Sequence, residues 1–203
     1  GPLTHSLQDI ALAMREARVG HVAQHWRNEA LAVYGSSGAR LGEVERGAVR
    51  TLGIATRAVH LVGFTPDGRV WVQQRALNKA NDPGLWDTLM GGMVSGADTV
   101  ATALVRETWE EAGLHLGQLQ AVERGGCVTI HRPTGEADDD GIGYVIEDTD
   151  WYRCTVPDGM MPVNQDGEVE QFLLLEPSEL VARLQRNEFT LEAALILVAA
   201  LGH

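Results

Sequence analysis

The clearest pattern of apolar and polar positions lies between residues 56 and 76, TRAVHLVGFTPDGRVWVQQRA. Two β-rich runs there flank Thr65-Pro66-Asp67-Gly68, so the pattern predicts an antiparallel hairpin. Near the start, THSLQDIALAMREARV spaces Leu7, Ile10, Leu12 and Met14 at helical intervals behind capping residues, predicting a helix over about 6–18 that forms an arm or outer layer. EALAVYGSSGARLGEV reads as a second hairpin around a Gly-Ser turn, and EVERGAVRTL as a short helix after it. LNKANDPGLWDT is a loop broken at Pro83-Gly84. Strand-like stretches follow at RGGCVTIH, GYVIEDTDWYRCTV and EVEQFLLLEP, with an acidic loop, GEADDDG, between the first two. The tail reads as two helices, with Pro177 in the first turn of one and Thr190 capping the other. Strands mixed with flanking helices predict an α+β class.

One further helix, over 99–112, carries the chemistry. At about 100° per residue, Val100, Ala101, Leu104, Val105, Thr108 and Ala112 share an arc expected to face the core, and Gly113 terminates the helix. Glu107, Glu110 and Glu111 lie on the adjoining arc, with Arg106 among them and Gly91-Gly92 ahead of the helix. Like charges three and four residues apart repel by about 0.2–0.5 kcal/mol per exposed pair, and by more when partly buried. A solvated face in an acidic protein would explain such a cluster without function. The glycines, the bordering apolar arc and the arginine favour a site for a hard divalent cation, which takes oxygen ligands together with phosphate oxygens.

Charge sharpens that reading. The 203 residues carry 28 acidic and 16 basic side chains, for a formal charge of −12, so a broad nucleic-acid-binding face is disfavoured and a small anion needs a bound cation or local basic groups. Lys79 is the only lysine. No apolar run approaches the roughly 20 residues of a membrane-spanning helix. Two widely separated cysteines, Cys127 and Cys154, suit free thiols in a reducing cytoplasm. Gly1-Pro2-Leu3 has neither an initiator methionine nor the layout of a secretory signal, and it carries no functional weight.

Gly92, Arg106, Glu107, Glu110, Glu111, Gly113 and Leu114 fall at the spacing of the Nudix box, which the chain closely resembles. Asp98 stands where the box has its first glutamate, putting the loop's rigidity in question, and Thr108 replaces an aliphatic residue. The resemblance implies an α/β/α sandwich with a mixed sheet over residues 51–203, and residues 1–50 as a helix and hairpin extension packed on the same unit. It implies Mg²⁺-dependent hydrolysis of a diphosphate linked to another group, with Mn²⁺ as a possible substitute. Glu107, Glu110, Glu111 and the Gly92 carbonyl would hold metal, and Arg106 would orient a glutamate. The general base would come from the box or from a later loop, where Glu168 and Glu170 are the candidates; otherwise these two are ordinary acids at a strand edge. His60, His131 and Asp150 read as structural residues on or near strands.

Beyond the box, WRNEALAV, GEVERGAVRTLGI, AVHLVGF, WVQQRALNKANDPGLWD, NQDGEVEQFLLLEP and FTLEAALILVAAL are similar in order to the Nudix domains associated with thiamine pyrophosphokinase. That likeness implies thiamine diphosphate or its oxidised forms as substrate, a possible homodimer, and a native amino terminus that could be longer. Arg75 and Lys79 lie in the loop before the box, where they could meet a phosphate tail. Trp86 and Trp109 could stack on a heterocycle, although packing roles suit both. A sensor Nudix module without hydrolysis, a hydrolase of nucleoside diphosphate derivatives such as ADP-ribose, and an isopentenyl-diphosphate-type isomerase are the alternatives; the isomerase needs a catalytic cysteine that neither Cys127 nor Cys154 convincingly provides.

Overall fold

A computed structural model describes residues 1–20, 22–79, 81–134 and 143–202. The elements in chain order are α1 (Pro2–Glu16), β1 (Ala30–Tyr34), β2 (Arg40–Glu45), β3 (Thr56–Phe64), β4 (Val70–Arg75), β5 (Trp86–Asp87), β6 (Met90–Met93), α2 (Val100–Ala112), β7 (Gln120–Pro133), β8 (Tyr144–Thr155), β9 (Val169–Leu175), α3 (Pro177–Gln185) and α4 (Leu191–Ala200). Strands β1 and β2 pair alone, and the other seven form one sheet in the order β5-β4-β3-β8-β7, with β6 on β3 and β9 on β4. The acidic stretch 135–141 lies outside the described residues.

Two expectations shift. Helix α1 begins at Pro2 rather than near residue 6, because proline is favoured in a first turn where its missing N–H costs nothing. The short helix expected over 43–52 is instead the end of β2 and a single 3₁₀ turn, Arg46–Ala48. Buried Glu45 accepts from the Arg27 and Gly47 amides and so acts as the cap of that turn.

The chain divides into two compact units, one of Gly1–Arg57, Met93–Thr99 and Thr129–Asp148, the other of Ala58–Gly92, Val100–Val128 and Thr149–His203. In the first, Leu7, Ala11 and Met14 of α1 pack with Leu31 and Val44 of the small hairpin and with Ala48 and Val49. In the second, Val62, Val70, Val72 and Leu175 of the sheet pack against Leu180 of α3 and Ile196 and Leu197 of α4. Burying side chains of this kind stabilises by about 1.5–3 kcal/mol each. Trp86 belongs to this core, with the Arg183 guanidinium 5.3 Å from its ring centroid, and it is not open for stacking on a ligand.

The β3–β4 hairpin forms where the turn chemistry requires it. Gly68 takes φ +88°, and Asp67 receives hydrogen bonds from the Thr65 hydroxyl and the Arg69 guanidinium, which lower its pKa to about 2. Strand β4 lies between partners on both sides, so Gln73 is opposite Asp87 on β5 and Phe172 on β9. That central strand delivers the first residue of the site.

Candidate active site

Helix α2 buries Ala103, Leu104, Thr108, Glu111 and Ala112. The arc expected from apolar spacing is therefore rotated: Ala101 is exposed, Val105 is 53% exposed, and Glu111 is only 1% exposed. A carboxylate can take the central core-facing position because its acceptors are satisfied. Its Oε2 accepts from Gln73 Nε2 at 2.8 Å and from the Gly91 amide at 2.9 Å, while Oε1 lies 3.7 Å from Lys79 Nζ. Thr108, also fully buried, donates its hydroxyl back to the Leu104 carbonyl at 2.6 Å, so it meets its polar need within the helix.

The helix stops at Gly113, whose φ of +62° and amide bond to Trp109 O form the left-handed cap. A Cβ there would lie 2.5 Å from Val163 O. Trp109 is exposed and stacks on His115 with centroids 4.4 Å apart.

Glu107 stands beside the glycine turn. A Cβ on Gly92 would fall 2.3 Å from its Cδ, so only glycine leaves room for the carboxylate. Arg106 Nη1 reaches Glu107 Oε1 at 2.9 Å and Glu110 Oε2 at 2.7 Å, placing one guanidinium between two acids. Burial raises Glu107 to about 7 against the pull of Arg106, and Glu110 and Glu168 push the same way. Burial likewise raises Glu111 to about 7, opposed by Lys79 and the Gly91 and Gln73 hydrogen bonds and reinforced by Glu107. Glu107 and Glu111 are close enough to feel one another, and neither pairs with a cation strongly enough to cancel the cost of burial.

Lys79 leaves its loop to pair with Glu168 and approaches Glu111, with only 18% of its side chain exposed. Glu168 is held at the start of β9 by a hydrogen bond from the Ala76 amide to its carbonyl, while Glu170 is exposed on that strand. Arg75 is turned inward: its guanidinium donates to Asn81 O at 3.0 Å and to Asp87 Oδ2 at 3.4 Å. It braces the lysine's loop.

A family model of the NUDIX domain matches residues 55–195. The chain belongs to the Nudix domain family. It is 29% identical over 149 residues to the chloroplastic Nudix hydrolase 20 of Arabidopsis thaliana, a match covering 72% of this chain and 38% of that protein. Among solved structures, DR0079 of Deinococcus radiodurans superposes with a TM-score of 0.63 at 19% identity, covering 85% of this chain and 98% of that one. The NUDIX domain of Shewanella oneidensis NrtR, solved with ADP ribose, superposes with a TM-score of 0.52 at 14% identity, covering 72% of this chain and 84% of that domain. Both likenesses concern the fold, which is the α+β Nudix sandwich. The chain spans between 38% and 54% of the length of three curated relatives. No helix among the described residues is long and apolar enough to cross a membrane.

Within this Nudix site, no three His, Cys, Asp or Glu side chains among the described residues stand ready-grouped for a metal ion. Of the trio expected from the sequence, Glu107 and Glu110 are engaged by Arg106, and Glu111 by two N–H donors. The donor chemistry nevertheless fits a hard divalent cation, since the carboxylates of Glu107 and Glu111 beside a glycine turn offer oxygen donors alone.

His60 takes the structural place on a strand expected of it, and its partners Asp87 and Thr88 are the part that the sequence did not predict. His60 is buried and its Nδ1 lies 3.0 Å from Thr88 Oγ1 and 3.3 Å from Asp87 Oδ1, while Thr88 donates its hydroxyl to Met90 O. The available signal was Gln73, a polar residue interrupting a strand-like run; Asp87 and Thr88 fall in the stretch read as a loop, near whose end Trp86–Asp87 instead form strand β5. Asp150 accepts from Arg124 at 2.6 Å, in keeping with a structural role, and His131 is exposed on β7.

Proposed function

We propose that this Nudix chain is a divalent-cation-dependent pyrophosphohydrolase that cleaves a small diphosphate by attack of water at phosphorus. The observation that supports it most is Glu107 and Glu111, both desolvated and displaced to about 7, beside a glycine turn that admits no side chain. Groups at that pKa are poised for charge or proton exchange near neutrality.

Glu107, Glu110, Glu111 and the Gly92 carbonyl would hold Mg²⁺ or Mn²⁺. The cation supplies Lewis-acid neutralisation of the pyrophosphate and acidifies water. Arg106 keeps Glu107 and Glu110 apart from each other and oriented. Lys79 is the cation nearest the carboxylates from the loop side and meets the phosphate tail, with Arg75 as the brace that holds the loop. Glu168 is the stronger of the two later-loop candidates for general base, since Lys79 ties it to the site; Glu170 is the second candidate.

Thiamine diphosphate or its oxidised forms, giving the monophosphate, is the favoured substrate, on the ordered segments shared with the thiamine-pyrophosphokinase-associated group. ADP-ribose is the second reading, favoured by its presence with the NrtR domain. The isomerase reading is disfavoured because Cys154 is buried, with its thiol pushed up to about 12, and Cys127 is exposed on β7. Assaying thiamine diphosphate, its oxidised analogues, ADP-ribose and nucleoside triphosphates with Mg²⁺ in ¹⁸O-water tests the proposal. Monophosphate release with label in the phosphate is expected; no product from any of them with either Mg²⁺ or Mn²⁺ defeats it.

A further inference from the structure

Glu111 owes its position to a buried chain of contacts that begins outside the box. Asp87, 2% exposed, uses Oδ1 to accept from the Thr88 amide at 2.8 Å and faces His60 Nδ1 at 3.3 Å with the same oxygen. Because the Thr88 hydroxyl proton is spent on Met90 O, Thr88 Oγ1 can only accept from His60. Two acceptors therefore face Nδ1, which fixes the tautomer with the proton on that nitrogen. The ring so held lies flat against Gly91: a Cβ added there would sit 2.5 Å from Cε1, 2.7 Å from Nε2 and 2.9 Å from Nδ1. Gly91 in turn donates its amide to Glu111 Oε2 at 2.9 Å. The other Asp87 oxygen takes Arg75, which binds the Asn81 carbonyl in the loop of Lys79.

We infer that Asp87 and His60 are positioning residues of this site: Asp87 orients the His60 ring, and the ring presses the Gly91 amide onto Glu111 and so sets the Gly91-Gly92 turn. One buried carboxylate thereby registers the glycine turn and, through Arg75, the lysine loop. The consequence for activity rests on the reading of Glu111 as part of the diphosphate site; the Gly91 contact itself does not.

The test uses the full chain and has two arms. In metal-free protein, exchange of the Gly91 amide is followed by NMR in the wild type, Asp87→Asn and His60→Asn. Asn at 87 still accepts from Thr88 but has lost the anionic acceptor, and Asn at 60 can still donate to Thr88 but has no ring to press on Gly91. Exchange at Gly91 at least about tenfold faster in both, with amides of α3 and α4 unchanged, is expected, and His60→Phe should restore part of the protection because a ring is present. Wild-type exchange at Gly91 in folded Asp87→Asn overturns the inference. In the second arm, calorimetry with Mg²⁺ should show affinity weakened at least about fivefold in Asp87→Asn relative to the wild type, a loss that mere destabilisation of a still-folded protein does not produce. Equal affinities overturn the positioning role. Absence of Mg²⁺ binding by the wild type defeats the proposed function instead, and leaves the exchange arm to decide the contact.

Discussion

Gly92 and Glu107 occupy the same space in turn: the carboxyl carbon of Glu107 lies 2.3 Å from the point a Cβ on residue 92 would fill. Gly92→Ala must therefore displace either the turn or the carboxylate. A displacement near 1 Å can cost about 10²-fold in rate, and that is the expected fall in kcat on the best substrate, with the far-UV circular dichroism unchanged. Steady-state kinetics of the purified variant checks it, and wild-type turnover would refute the geometry.

Glu111→Gln separates charge from shape. An amide still accepts from Gly91, but it removes a buried negative charge. Turnover should fall by orders of magnitude and the heat of Mg²⁺ uptake should vanish, while the metal-free protein melts higher than the wild type at pH 8. Glu110→Gln should lose activity comparably without that gain, because Glu110 is more exposed and paired with Arg106. Full activity in both variants would defeat the metal assignment.

Metal-free stability should depend on pH in a stated sense. Burial raises Glu107 and Glu111 to about 7 in the folded protein, against 4.5 for an ordinary glutamate, so the folded state binds their protons more tightly than the unfolded state does. Their favourable contribution is complete below about pH 4.5 and is lost as pH rises through about 7. The melting temperature in chelator should decline between pH 5 and pH 8, and Mg²⁺ should raise it more at pH 8 than at pH 5. A melting temperature that rises across this window would contradict the burial of both groups.

Lys79→Met removes the ammonium that faces Glu111 and Glu168. KM for the diphosphate should rise more than kcat falls. The metal-free protein should also melt lower than the wild type, by a margin that narrows at saturating Mg²⁺, because the cation then supplies the missing positive charge. An unchanged KM would exclude Lys79 as a contact of the substrate.

Much of this was legible along the chain. The Thr65–Gly68 turn, the Gly113 helix stop and the Thr190 cap each depend on one local conformation or one hydrogen bond to a near neighbour, so residue type alone predicts them. The orientation of α2 was not legible in the same way. Periodicity sorts apolar from polar, and it assigned Val105 to the core and Glu111 to its border. The reversal comes from Gln73 and Gly91, 38 and 20 residues away in sequence, whose N–H groups make a buried carboxylate tolerable.

Arg75 shows the same limit from the other side. Its place before the box suggests contact with phosphate but gives no sign that its guanidinium also donates to Asn81 O and to Asp87. Lys79, four residues on, is a cation that approaches the buried Glu111. Charge type and spacing determined family, element order and the composition of the acidic helix, since these follow from short-range periodicity and a long, exacting pattern of residues. Which carboxylate is buried, which cation points inward and which residues hold the glycine turn were decided only when distant strands paired, because desolvation and hydrogen-bond partnership depend on neighbours that the linear order does not specify.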